Sequence, residues 1–234
     1  MDKIKIFSKS QFSLLWWSGT ISSFGDWATL FGSVALASYL GTEAGNSELT
    51  AIVPLIARIV PALLSSFAGL IADRYDKKMI MIFCDVIRMI FVMFLFFADN
   101  LYSIFLINFL SEIFSLIRQP SREAVVPEIV NKENLVKANS LFAIGTYATL
   151  PVASLALGVV SDWNSLELIN ETGNGWSGSI IFLFDTFTFM ASAILLYFLK
   201  NQNKNTLNKK PDVSFKNFKD GLDYFFKTKD IRNI

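Results

Sequence analysis

Histidine is absent from this chain of 234 residues, and cysteine occurs once, as Cys84. The first absence removes the commonest proton shuttle and metal ligand, so any proton handling must rest on carboxylates. No metal and no other cofactor is expected. The lone Cys84 excludes an intramolecular disulfide and is too isolated for a CxxC redox or zinc site. Charge is also scarce, at 18% of residues with a net value of +1. No nucleophile–base motif, metal-ligand cluster or phosphate-cradling glycine loop is present, so an enzyme is the least expected reading.

What fills the chain instead is apolar. Hydrophobic residues reach 53%, 23 residues are Phe, and the mean hydropathy is +0.44, whereas soluble domains sit at about 45–50% apolar without long uncharged runs. Stretches of roughly 17–25 mostly apolar residues suit a bilayer crossing. Six occur, at about 12–39, 49–72, 79–98, 101–118, 139–160 and 179–199. The expectation is an all-α membrane protein with a six-helix transmembrane domain over 1–200, the lipid bilayer its first partner. Little chain remains before Lys200 for a globular domain. A cleaved signal peptide fits the first stretch poorly, because the apolar region exceeds the usual ~7–15 residues and contains Asp26. The pair Trp16-Trp17 suits an interfacial belt or lipid-facing packing.

Lys and Arg mark the cytoplasmic side of a membrane protein. All but two of the 21 lie before the first span, between spans two and three, between four and five, or after span six. The exceptions, Arg58 and Arg88, fall inside spans. The odd-numbered loops hold only acids, among them Glu43, Glu48, Asp99, Asp162, Glu167 and Glu171. Both termini are therefore predicted cytoplasmic, in the cell (inner or plasma) membrane. Charge segregated by membrane side makes no nucleic-acid-binding face.

The turn between spans two and three reads Gly69-Leu70-Ile71-Ala72-Asp73-Arg74-Tyr75-Asp76-Lys77-Lys78. So short a loop forces adjacent, antiparallel helices, and Gly69 permits close backbone approach. The pattern Gly-x-x-x-Asp-Arg-x-x-Lys-Lys resembles the signature of the major facilitator superfamily, a large family of secondary transporters. A second segment, Arg118-Gln119-Pro120-Ser121-Arg122-Glu123 through Val130 and then Asn134-Leu135-Val136-Lys137-Ala138-Asn139-Ser140, is similar to the corresponding loop of the branch holding enterobactin exporters and macrolide efflux pumps. Asp85 and Arg88 match that branch's Asp-x-x-Arg pattern. Pro120 and Pro127 are expected to break the helices there, with Asn131 to Leu141 restarting one into span five. The resemblance covers an N-terminal half and implies two inverted three-helix repeats. It also implies efflux of a small-molecule substrate, and a cytoplasmic gate in which Asp73 meets an opposing domain, with Arg74, Lys77 and Lys78 supporting it. Gly145 to Gly158 with Pro151 matches the antiporter glycine-proline signature only loosely, so drug/proton antiport does not follow.

Ionisable residues inside spans cost roughly 2.5–3.5 kcal/mol each at a helix centre and are the candidate site. Asp26 in span one and Glu112 in span four fall near the midplane, in helices that are repeat-equivalent and line the cavity in a facilitator. They are the candidates for proton coupling or substrate contact, the alternative being hydrogen-bonded packing. Arg58, between Pro54 and Pro61, either attracts an anionic group or neutralises Asp26 or Glu112. Asp85 and Arg88, spaced i, i+3, share a helix face where they can pair, and they extend the charge cluster of Asp73, Arg74 and Arg118 or Arg122. Asp185 reads as a packing or rim residue.

Beyond Lys200 a polar linker leads to Phe215, Phe218, Leu222, Phe225 and Phe226 among charges, an amphipathic surface helix within 201–234. A facilitator carries such a helix before its seventh span. The expected partner is therefore a C-terminal six-helix half, with a second copy of this chain or a non-transporting remnant as alternatives.

Overall fold

The computed structural model describes residues 10–43, 50–62, 75–161 and 176–200. Gly69, Asp73, Arg74 and the tail 201–234 lie outside the described residues. Within them the chain forms seven α-helices and two short 3-10 turns, with no strand: α1 (Ser10–Glu43), α2 (Val53–Ala62), α3 (Lys77–Leu95), α4 (Leu101–Ile129), α5 (Leu135–Tyr147), α6 (Thr149–Ser161) and α7 (Ile180–Tyr197). Three stretches among the described residues are long and apolar enough to cross a membrane: Leu101–Ile129, Lys132–Val160 and Ile180–Tyr197. α1 has 34 residues, which at ~1.5 Å per residue gives about 50 Å, more than the roughly 30 Å hydrocarbon core of a bilayer.

Local chemistry sets the helix ends. Asp76 caps α3 by accepting from the Met79 N–H at 3.0 Å, and Asn100 caps α4 by accepting from the Ser103 N–H at 2.8 Å, each satisfying one orphan donor of the first turn. Lys78 Nζ donates to the Tyr197 carbonyl at 2.7 Å, placing a cation on the C-terminal end of α7. α5 stops at Tyr147, whose carbonyl is the one that Pro151, lacking an N–H, cannot reach. α6 begins two residues later.

The prolines of α4 behave otherwise, which corrects the expected break. α4 continues through Pro120 and Pro127 to Ile129. Ser121 Oγ donates to the Ile117 carbonyl at 3.1 Å, beside the bond that Pro120 cannot make. Side-chain hydroxyls and packed neighbours of this kind are what let a membrane helix carry proline. Arg118 and Arg122 are consequently helical residues, not loop residues.

α1 packs on α7, α5 and α6, while α4 packs on α3 and α2, and α3 packs on α7. Exchanging α1, α2 and α3 with α4, α5–α6 and α7 leaves this set of pairs unchanged, the contact pattern of a three-plus-three repeat. Two apolar clusters stabilise the bundle. One gathers Leu36, Val92, Leu95, Ile104, Ile181 and Phe182; the other Phe12, Leu15, Met81, Val125, Phe142 and Leu196. Along α1, α3 and α4 the stretch between the two clusters carries polar residues: Ser18, Ser22 and Asp26; Asp85 and Arg88; Ser111, Glu112 and Arg118.

Small residues let α1 lie close to α7. At Gly32 an added Cβ would meet Ile181 Cγ2 at 2.7 Å and the Phe182 ring at 3.1 Å, whereas nothing lies within 4 Å of one at Gly158. Gly32→Ala is expected to destabilise the chain by about 1–3 kcal/mol through overpacking. Gly158→Ala should be neutral or stabilising by up to about 1 kcal/mol, because glycine weakens a helix interior. Thermal unfolding of the two variants in detergent checks the contrast.

Candidate functional site

A cavity of about 730 Å³ opens between α1, α2, α4 and α5, within the range of small-molecule sites. Its wall mixes charged and polar side chains with aromatic and aliphatic ones. α1 supplies Ser23, Asp26 and Trp27; α2 supplies Arg58; α3 supplies Arg88 from behind; α5 supplies Asn139, Phe142 and Thr146. The longest stripe is on α4: Glu112, Ser115, Gln119, Arg122 and Val126, spaced by three and four residues and hence on one face. The structure thus brings the expected candidates Asp26, Arg58 and Glu112 to one cavity, together with Arg88.

The charges pair across helices. Asp26 Oδ1 accepts from Arg88 Nη2, and Asp85 Oδ1 meets Arg118 Nε at 2.6 Å. The Arg118 N–H does not point along that contact, so it is an ion pair and not a directed hydrogen bond. Asp85 Oδ2 also accepts from Ser192 Oγ at 2.7 Å, and Ser192 Oγ in turn accepts from Arg118 Nη2 at 3.2 Å. The expected Asp85–Arg88 pair within α3 is therefore not made. The reason is energetic: an i, i+3 pair is worth only about 0.2–0.5 kcal/mol, and it would leave Asp26 and Arg118 without partners. Removing one partner of a buried pair costs about 3–5 kcal/mol, so cross-helix pairing prevails.

Arg58 lines the cavity, as one expected reading requires, and pairs with no carboxylate among the described residues. Its Nη2 donates to the backbone carbonyl of Asp26 at 3.2 Å, tying α2 to α1 without occupying the Asp26 carboxylate. Glu112 lines the same cavity and makes no ion pair or hydrogen bond among the described residues. Arg122 has no acidic partner there either; its guanidinium lies 5.2 Å from the centre of the Phe142 ring. The cavity therefore keeps a carboxylate and a guanidinium uncommitted.

Of the charged-turn residues, Lys77 pairs with Glu128 at 2.6 Å and Lys78 caps α7, so both are engaged within this bundle. Trp16 Nε1 donates to the Leu141 carbonyl at 2.8 Å and Trp27 Nε1 to the Thr146 carbonyl at 3.0 Å, two indoles stitching α1 to α5. Trp17 is half exposed. Asp185, expected to be a packing or rim residue, is fully buried, and it accepts from the hydroxyls of Thr29 and Thr188.

Sequence reasoning missed Trp27, Asn139 and Thr146 and placed Arg118 and Arg122 in a loop. The signal for the last two was present: the polar stripe from Glu112 to Arg122 keeps helical spacing across Pro120. Arg118→Met, which strands the buried Asp85, is expected to destabilise the chain by about 3–5 kcal/mol, and adding Asp85→Leu should recover most of that loss. Denaturant unfolding of the single and double variants decides; an equal loss in both removes the pair as the cause.

The family profile of the Major Facilitator Superfamily matches residues 15–231. Among relatives, the chain is 30% identical over 143 residues to the lysophospholipid transporter LplT of Pectobacterium carotovorum subsp. carotovorum (strain PC1), covering 61% of this chain and 34% of the relative. It is 27% identical over 161 residues to LplT of Escherichia coli (strain SE11), covering 69% of this chain and 39% of the relative. LplT of Enterobacter sp. (strain 638) matches to the same extent. The chain thus spans well under half the length of the curated relatives it matches. Repeat-like helix packing, a charged cavity inside an apolar bundle and a profile match over nearly the whole sequence lead to one conclusion: this chain belongs to the major facilitator superfamily.

Proposed function

We propose that the chain is the N-terminal six-span half of a secondary transporter that exports a small molecule, completed by a C-terminal six-helix half. The observation that carries this reading is the cavity itself: about 730 Å³, lined by charged, polar and aromatic side chains, and walled by helices α1, α2, α4 and α5 of one bundle. Transporters of this architecture hold substrate between two such bundles and rock them about it. Charges kept inside an apolar bundle are costly and mark substrate or ion pathways. Within the site, Asp26 is the proposed coupling carboxylate, because it faces the cavity while Arg88 holds it, and Glu112 is the proposed second contact for substrate or proton.

Two substrate classes are in contention. The enterobactin and macrolide resemblance favours a siderophore-like or lipophilic compound, and the similarity to lysophospholipid transporters favours a lysophospholipid. The pairing of an uncommitted Glu112 and Arg122 with the aromatic groups of Trp27 and Phe142 suits an amphiphile carrying charge, which favours the second.

Co-expression with the C-terminal half of a relative, reconstitution in proteoliposomes and an imposed proton gradient test the reading, using a labelled lysophospholipid and a fluorescent macrolide as probes. Gradient-dependent movement of one probe is expected with both halves present. Asp26→Asn should slow it by about tenfold or more, equivalent to ~1.4 kcal/mol in the limiting barrier. Movement of both probes unchanged by the substitution and by collapse of the gradient would remove the coupling role. Transport by this chain alone would favour a homodimer. Reporter fusions at Lys200 are expected to read cytoplasmic, following the distribution of Lys and Arg.

A further inference from the structure

α7 contributes no residue to the cavity wall, yet both ion pairs rest on it. Asp185, Thr188, Phe189 and Ser192 lie on one face of this helix, by their spacing, and each touches a member of a pair or the backbone beside one. Asp185 grips α1 around Asp26. Its Oδ2 accepts from the Thr29 hydroxyl, and the α1 backbone at Gly25 lies so close that a Cβ there would collide with Asp185 and Thr188. Thr188 Oγ1 donates to Asp185 Oδ1 at 2.6 Å, which fixes the carboxylate. One turn further along, the Phe189 ring centre lies 4.3 Å from the Arg88 guanidinium, whose Nε has no hydrogen-bond partner among the described residues. Ser192 then bridges the second pair, donating to Asp85 and accepting from Arg118.

We infer that this face of α7 is the positioning element of the site: Asp185 and Phe189 set the Asp26–Arg88 pair, and Ser192 sets the Asp85–Arg118 pair. Cavity groups are held in place when the residues behind them lock their rotamers by packing and hydrogen bonds. The inference rests on the cavity as the site, but not on transport, and its test needs no substrate.

Double-mutant cycles on the purified full chain supply that test. Coupling within each pair is measured by thermal unfolding of Asp26→Asn with Arg88→Gln and of Asp85→Asn with Arg118→Gln, in native and substituted backgrounds. Ser192→Ala is expected to cut the Asp85–Arg118 coupling by about half or more while leaving the other pair intact. Phe189→Leu and Thr29→Val should do the reverse, and Ser192→Thr and Phe189→Tyr should preserve both. Couplings that stay unchanged in every background, or that fall together by the same fraction, overturn the inference, since a general loosening does not discriminate between pairs. Where a pair variant does not fold, alkylation of the buried Cys84 beside Asp85 replaces the cycle. Its rate is expected to rise in Ser192→Ala and stay native in Ser192→Thr, and equal rates in the two count against α7 as the positioning element.

Discussion

The rest of the structure depends on a layer of charge held between two apolar cores. Asp26, Asp85, Arg88 and Arg118 come from three different helices, and an isolated buried charge costs several kcal/mol even after the protein relaxes. Each must therefore find an opposite charge on a neighbour, and that requirement fixes the rotation of α1, α3 and α4 about their own axes. The apolar clusters above and below are less particular, because volume-conserving hydrophobic swaps are tolerated while an unpaired charge is not. α3 is the hinge of the arrangement. Asp85 and Arg88 lie one turn apart, and they reach to α4 and α1 respectively, so one helix joins the two halves of the repeat.

This arrangement explains why the cavity can be polar without destabilising the bundle. The two pairs occupy four of the charged side chains, the hydroxyls of Thr29 and Thr188 hold Asp185, and Glu112 and Arg122 on the cavity wall have no ion partner among the described residues. Arg58 reinforces α1 through the Asp26 carbonyl while leaving the carboxylate of Asp26 on the cavity wall. Committed and uncommitted charges are thus separated by what lies behind them. A carboxylate backed by Ser192 and Arg118, such as Asp85, is committed, whereas one backed only by cavity is available for exchange of partners. Asp26 stands between these cases, paired yet partly exposed.

Much of this was legible in the sequence. Apolar runs located the helices, and the intramembrane acids and arginines named most of the charged groups on the cavity wall, because such residues are expensive wherever they serve no purpose. The turn motif from Gly69 to Lys78 pointed to the family. Two things were not legible. Proline was read as a helix break at Pro120 and Pro127, but hydroxyl back-bonding at Ser121 and tight packing override that rule. The pairing of Asp85 and Arg88 was read from spacing along one helix, and spacing carries no information about what neighbouring helices offer. Asp185, read as a packing or rim residue, is packed: it is buried and accepts from the hydroxyls of Thr29 and Thr188.

The central claim is that Asp26 and Arg88 form a pair that holds α1 to α3. Exchanging their charges tests it most directly, by comparing Asp26→Arg, Arg88→Asp and the two combined for the amount of folded chain recovered from membranes. Each single substitution places like charges together and is expected to remove folded protein, while the exchanged pair should return most of it. An exchanged chain no better than the single variants, or single variants as abundant as the native chain, would contradict the account.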